Sequence, residues 1–238
     1  GGSLFFIPFN LIQVQGYSAT SAGAAFLPSI LIISLLSRRM GGMVGRYGAR
    51  IPLVLGPIVV AIGYSLFAIP GIGGSYWATF FPAVTVLGLG MAISIAPLTT
   101  TVMNAVEENY SGLASGINNS IARIAGLLSI AVLGVVILHL FNYALDSHLS
   151  TLKIPLEARE ILNQQMIKMA AIELPSGLDP QLKSTLEKSI AESFLFSFRL
   201  VMVVTGGLAL GSAIIAWFMI EDKRAKPRLV RRNAISNG

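Results

Sequence analysis

The chain has 238 residues, of which 54% are hydrophobic and only 12% charged, and its formal net charge is +6. Soluble domains average about 25% charged residues, so this composition excludes an ordinary soluble protein and predicts an integral membrane protein. With no cysteine and two histidines, the chain offers neither a disulfide framework nor a metal centre, and we expect no cofactor. The positive charge lies at the ends of apolar runs, which indicates membrane topology rather than nucleic-acid binding.

Six apolar segments follow one another along the chain, and their long, non-alternating runs predict transmembrane helices. They cover residues 4–14 (A), 22–37 (B), 51–69 (C), 76–106 (D), 112–143 (E) and 194–220 (F). A spanning helix needs roughly 20 residues, so we interpret segment A as the outer end of a cut helix and the chain as part of a longer protein. Prolines inside segment D, Pro82 and Pro97, predict kinks.

The basic residues between the segments predict the orientation. Residues 38–50 form a predicted glycine-rich loop with four arginines and no acid, and residues 221–238 form a tail with six Lys/Arg. Because Lys and Arg remain on the cytoplasmic side, we place both there. The chain then divides into spans A–E (1–144), an extracytoplasmic loop (145–192), the last span (193–220) and the tail.

The extracytoplasmic loop carries helical signals despite its three prolines. Asp179 followed by Pro180 is typical of an N-cap with proline at the first helical position. Leu182, Leu186 and Ile190 then form an apolar stripe that leads into segment F. We predict amphipathic helices that lie on the membrane surface or on neighbouring spans, with a substrate lid or partner site as the alternative.

The order of the segments predicts the fold class. Segments A–B–C and D–E–F are two sets of three spans that enter the membrane from opposite sides. Such a three-plus-three inverted repeat forms one half of many secondary transporters. We therefore predict an all-α integral membrane fold with six transmembrane helices, the first of them truncated.

A polar stripe in segment E is the first candidate site. Ser115, Asn119 and Arg123 recur every four residues and so share one helix face. A cation inside a bilayer costs about 2.5–3.5 kcal/mol, so Arg123 should face a cavity, a partner or the interface. The functional interpretation is the polar wall of a transport pathway. The structural interpretation is that the arginine snorkels to the interface while its neighbours hydrogen-bond between helices.

Segment A holds the second candidate site. Asn10 and Gln13 lie three residues apart among aromatic residues that include Phe6. A few amides surrounded by aromatic rings suit a pocket for bulky, partly apolar molecules. Packing of the rings against lipid or neighbouring helices is the alternative.

No segment carries Asp or Glu in its membrane core, and no cluster of His, Asp and Glu suggests an enzyme. Proton coupling generally uses carboxylates buried in the membrane. If the protein exchanges protons, we expect the coupling acid outside this chain.

Three stretches of the sequence resemble the major facilitator superfamily. The first combines GLGMA at 88–92, APLTT at 96–100 and NAV at 104–106, the second is GLASGINN at 112–119, and the third is GMVGRYGAR at 42–50. The first two are similar to the fourteen-span branch of drug–proton antiporters, and the third is similar to the cytoplasmic loop motif of the whole superfamily. The likeness covers essentially the whole chain, which thus resembles the C-terminal half of such a transporter.

The third stretch supplies the loop-motif candidates Gly42, Arg46, Gly48 and Arg50. The family usually has an acid before the first arginine, where this chain has Gly45. The family often has an arginine directly after Asn-Asn-x-x, where this chain has Ala122, with Arg123 one place on. Apart from the resemblance, the loop arginines could bind lipid phosphates or helix C-termini, or could only set the topology.

The resemblance implies a secondary active transporter that exports small amphipathic compounds in exchange for protons by alternating access. It also implies that segment A lines the central cavity. The expected partners are the lipid bilayer, a small-molecule substrate, protons and the missing N-terminal half, and the expected location is the bacterial plasma membrane. An importer or facilitator of polar solutes on the same scaffold is the alternative.

Overall fold

The computed structural model describes residues 2–150, 152, 154–175 and 177–220, with all of their side chains except 46, 47 and 156–158. Over these residues the fold is helical and contains no strand. The helices are α1 (Phe6–Gln13, after a 3₁₀ turn at Gly2–Phe5), α2 (Ala19–Ala24), α3 (Leu27–Tyr47), α4 (Arg50–Phe67), α5 (Tyr76–Asn104), α6 (Ser111–Ser150), α7 (Leu156–Gln165, followed by a 3₁₀ turn at Met166–Ala171) and α8 (Pro180–Met219).

The six predicted segments are all present as apolar helices. Five helical stretches of the described chain are long and apolar enough to cross a membrane, and the shorter helix Gly2–Gln13 corresponds to the truncated segment A. The prediction of an all-α membrane fold is confirmed. The inverted repeat remains a prediction, as does the assignment of the two faces to cytoplasm and exterior.

The predicted loop at residues 38–50 is wrong over its first ten residues, because α3 continues to Tyr47. Only Gly48 and Ala49 join α3 to α4, and Gly48 has a φ of +81°, which glycine adopts without strain. The other glycines of this stretch are helical, and no proline interrupts it. At Gly41 an added Cβ would lie 3.5 Å from Thr100 Oγ1 on α5, an ordinary van der Waals distance, so α3 packs on α5 at this position.

Two helices are much longer than a bilayer is thick. Helices α6 and α8 each have 40 residues, or about 60 Å at 1.5 Å per residue, whereas the hydrocarbon core measures about 30 Å. The stretch predicted as a loop at 145–192 therefore begins and ends inside helices. Residues 145–150 continue α6, and residues 180–192 form the first turns of α8.

The predicted start of the last helix is confirmed at Asp179. Its side-chain Oδ2 accepts hydrogen bonds from the backbone N of Gln181 (3.1 Å) and of Leu182 (3.2 Å). The apolar stripe that follows packs against neighbouring helices, because Leu186 and Ile190 are buried in one cluster with residues of α6 and α7. Burial of this stripe explains why the helix continues without a break into the membrane segment.

The central helices pack through small residues. Helix α5 lies between α3 and α4, and α8 packs on α4. A Cβ added to Gly90 would lie 2.5 Å from the backbone N of Val60, and one added to Gly63 would lie 2.9 Å from Leu87 Cα. Residue numbers fall along α5 as they rise along α4, so these two helices are antiparallel and their backbones touch.

The turn between α4 and α5 is held from two sides. Gln15 Nε2 donates a hydrogen bond to Gly71 O (2.9 Å), and Gly73 N donates one to Gln15 Oε1 (2.8 Å). From α8, Arg199 Nη2 donates to Ile69 O (3.2 Å) and Pro70 O (2.9 Å). One side chain just after α1 and one on α8 thus fix the turn that follows α4.

Two arginines lie at opposite ends of the α4–α8 pair. Arg50 begins α4, and its guanidinium carbon lies 4.0 Å from the ring centroid of Trp217 near the end of α8. Arg199 binds the carbonyls just after the other end of α4. Along α8, Arg199 and Trp217 are 18 residues apart, or about 27 Å, close to the thickness of a hydrocarbon core. We infer that the two arginines mark the two membrane boundaries.

Candidate substrate-pathway residues

A groove of about 880 Å³ lies between the end of α5 and the first turns of α6. Its polar groups are Glu107, Tyr110 and Asn118, and the rest of its lining is apolar. The apolar lining consists of Val102, Ala105, Val106, Leu113, Ala114, Ile117 and Ile121. A largely apolar concave surface with a few polar groups is the usual form of a small-molecule site.

The polar stripe predicted on segment E lies on an uncovered part of α6. Asn119 and Arg123 are both exposed, and Ile121 between them is 62% exposed. Within the described chain, Arg123 has neither a carboxylate partner nor a hydrogen bond. An uncovered apolar helix face with a polar stripe is suited to a water-filled pathway or to contact with another part of the protein.

The candidates on α1 divide between two faces of the helix. Phe6 and Asn10 are buried, whereas Gln13 is exposed. The Asn10 side chain is only 1% exposed, yet neither its Oδ1 nor its Nδ2 has a hydrogen-bond partner among the described residues. Buried amides are nearly always hydrogen-bonded, so this one requires an explanation.

The structure does not bring the candidates on α1 into contact with the candidates on α6. The first helix meets α6 at Gly2, where an added Cβ would lie 2.7 Å from the backbone N of Ile130. Asn119 and Arg123 precede this contact along α6, and no hydrogen bond or ion pair joins them to Asn10 in the described chain. The candidates Phe6 and Asn10 therefore lie apart from the candidates Asn119 and Arg123.

Three residues of the loop motif can be placed. Gly42 is exposed on α3, Gly48 ends that helix, and Arg50 begins α4. The Arg46 side chain lies outside the described residues, as does the basic tail at 221–238. Sequence reasoning proposed lipid phosphates or helix ends as partners for these arginines, but Arg50 stacks on the Trp217 ring.

We expect the Arg50–Trp217 contact to stabilise the fold by about 0.5–1 kcal/mol, the usual strength of an exposed cation–π pair. A double-mutant cycle with Arg50→Gln and Trp217→Leu, followed by thermal unfolding in detergent, measures this coupling. Arg39→Gln is the matched control, since Arg39 is exposed on α3. Additive effects of the two changes would show that the contact contributes nothing.

Sequence reasoning missed Arg199 and Trp217. A signal for Arg199 was present, because it is the one charged residue between 194 and 220. A lone cation in an apolar segment needs a partner, which in this structure is the pair of carbonyls after α4. Trp217 offered no comparable signal, since its partner begins a helix more than 160 residues earlier in the chain.

Comparison with known proteins adds independent evidence. Residues 1–130 match the family described as Major Facilitator Superfamily. The multidrug resistance protein Stp of Mycobacterium tuberculosis is 30% identical over 148 residues, which cover 62% of this chain and 27% of that protein. The tetracenomycin C resistance and export protein of Streptomyces glaucescens is 27% identical over 235 residues, or 95% of this chain and 42% of that protein.

The multidrug export protein EmrB of Haemophilus influenzae is 33% identical over 136 residues, which cover 52% of this chain and 24% of that protein. The chain thus spans less than half the length of these relatives. The family match over more than half of the chain confirms the resemblance drawn from its motifs, and its apolar helices agree with a multi-pass location in the cell membrane. The chain belongs to the Major Facilitator Superfamily.

Proposed function

We propose that this chain is the C-terminal half of a secondary active transporter that exports small amphipathic compounds in exchange for protons. The observation that carries the proposal is the groove of about 880 Å³ between α5 and α6, beside the uncovered stripe of α6. The names of the relatives, which include multidrug resistance, lincomycin resistance and tetracenomycin C export, support outward transport.

The lining of the groove favours a substrate with an apolar body and a positive group. Apolar side chains of α5 and α6 offer surface to such a body, and the Tyr110 ring can stack on it. The Glu107 carboxylate at the rim attracts cations, and the Asn118 amide can orient a polar group.

The way that small residues join these helices supports the proposed alternating access. Close contacts such as Gly90 with Val60 make α4 and α5 one rigid unit. In the proposed mechanism this unit rocks against the other half of the transporter, and the substrate binds between the two halves. The uncovered stripe of α6 then faces that interface, first toward one side of the membrane and later toward the other.

Arg123 is the residue that we link to proton exchange. It lacks a carboxylate partner in the described chain, and no membrane segment here supplies one. In the proposal, a carboxylate of the other half pairs with Arg123 while it is ionised. Protonation of that carboxylate abolishes the ion pair and frees the two halves to move.

The test is export of a hydrophobic cationic dye from energised cells by the complete transporter. We expect Arg123→Ala to slow export about tenfold or more, the effect of losing one charged hydrogen-bonded pair. Asn119→Ala should change the relative export rates of different dyes rather than abolish export. Ser120→Ala is the matched control, because its hydroxyl donates to Gly116 O in the same helix.

Western blots of membrane fractions should show equal amounts of all variants. If Arg123→Ala and Asn119→Ala transport every dye as the parent does, the polar stripe has a structural role. Uptake of polar solutes without dye export would favour the importer instead.

A further inference from the structure

A second cavity, of about 600 Å³, lies between α8 and the turn that follows α4. One residue of that turn, Ile72, and one face of α8 line it. The α8 residues recur at helical spacing and are Lys188, Glu192, Leu195, Phe196 and Arg199. None of these residues has a role in the proposed transport mechanism.

The cavity carries a net positive charge from two cations and one carboxylate. Lys188 Nζ and Glu192 Oε1 are 3.9 Å apart, and the two side chains are 74% and 43% exposed. Such an exposed pair is weak, so Lys188 can turn to another anion at little cost. Arg199 adds a positive charge that has no carboxylate partner among the described residues.

Arg199 is held in place but not saturated. Its Nη2 donates to Ile69 O and Pro70 O, which fixes the position of the guanidinium group. Its Nε is buried and has no hydrogen-bond partner in the described chain. A guanidinium has five N–H donors, and Nη1 makes no hydrogen bond within the described chain, so it can donate to an anionic acceptor. The positive charge and the Nη1 donors of this arginine suit a phosphate oxygen.

The cavity also lies where a lipid headgroup would be. By the spacing argument above, we infer that Arg199 lies at one membrane boundary, about 27 Å along α8 from Trp217. On the membrane side of Arg199, α8 continues with the exposed apolar residues Leu200, Val203 and Val204. A positively charged cavity thus adjoins an apolar helix face that runs into the bilayer.

We propose that this cavity binds the phosphodiester of a membrane phospholipid. The phosphate contacts Arg199 and Lys188, and the acyl chains run along the apolar face of α8. A free phosphate ion offers the same chemistry to the two cations but has no acyl chain to bury against Leu200 and Val203. The lipid is therefore the ligand that satisfies both the charged and the apolar parts of the site.

The experiment uses the full chain, purified and delipidated in detergent, with phosphatidylglycerol added in steps and bound lipid counted by native mass spectrometry. We expect Lys188→Gln and Arg199→Gln each to weaken binding about tenfold, the effect of one charge-assisted contact. Lys183→Gln is the matched control, since it removes the same charge from an exposed position of α8 that does not line the cavity. The affinity of the Lys183→Gln variant for phosphatidylglycerol should equal that of the parent.

Lys188 is exposed, so its replacement tests the site even if Arg199→Gln fails to fold. An equal loss in Lys183→Gln would show general surface charge and overturn the proposal. Inorganic phosphate alone is the second probe. We expect millimolar phosphate not to displace the lipid, and displacement would identify a site for the free anion instead.

Discussion

Gly90→Val is expected to disrupt the packing of α4 against α5 and to cause a large loss of stability. A Cβ at this position would lie 2.5 Å from the backbone N of Val60 and 3.0 Å from the backbone C of Val59. Because these are main-chain atoms of a helix, they cannot move aside as a side chain could. We expect a loss at or above the upper end of the about 1–3 kcal/mol that overpacking costs. Thermal unfolding of the purified protein in detergent measures it.

Gly207→Ala is the control for this prediction. No atom lies within 4 Å of a Cβ added to Gly207 on α8. Alanine has a helix propensity about 1 kcal/mol better than glycine, so this variant should be as stable as the parent or more so. If Gly90→Val and Gly207→Ala unfold at the same temperature, α4 and α5 are not in backbone contact.

Asn10→Leu is expected to raise stability and lower export at the same time. The Asn10 amide is buried, and neither of its polar atoms has a partner in the described chain. An unsatisfied buried polar group costs about 1–3 kcal/mol, which a leucine of similar size would recover. A residue that lowers stability in this way is expected to serve function, and Asn10 is a predicted substrate-pathway residue, so we expect its loss to lower export.

The measurements for Asn10→Leu are thermal unfolding and dye export on the same preparation. Gln13→Leu serves as the control, because Gln13 is exposed and its replacement releases no buried amide. We expect no gain in stability from that change. A lower unfolding temperature for Asn10→Leu would mean that the amide is hydrogen-bonded in the complete transporter, and unchanged export would remove its proposed role in binding.

The predicted and observed helices differ where tertiary packing extends a helix into a stretch that looks polar or glycine-rich in sequence. Residues 38–47 look like a loop because glycine and arginine are poor signals for a membrane helix, yet they form the last turns of α3. Packing of α3 on α5 compensates for the low helix propensity of glycine. Residues 145–150 and 180–192 likewise look polar enough for a loop, but buried stripes hold them as extensions of α6 and α8.

The candidate site residues also differ in how well the sequence predicted their surroundings. Helical spacing placed Asn119 and Arg123 on one face of α6, and the structure agrees. Spacing also suggested that Asn10 and Gln13 share a wall, but one is buried and the other exposed. A three-residue separation allows either outcome, because the neighbours of α1 decide which face is covered.

Local sequence patterns were sufficient to identify the membrane environment, the all-α fold class and the order of the helices. Long apolar runs that cross a membrane form helices, because every backbone N–H and C=O must be hydrogen-bonded within the segment. The N-cap at Asp179 is equally local, because its partners lie two and three residues away.

The ends of the helices and the partners of the polar groups depend instead on long-range packing. Arg199 binds carbonyls some 130 residues away, and Arg50 stacks on Trp217 at the other end of the chain. Such contacts depend on which helices become neighbours, and small residues such as Gly90 set that by permitting close approach. A local sequence pattern does not show which helices become neighbours, because the packing energy that favours one arrangement arises only when distant segments come into contact.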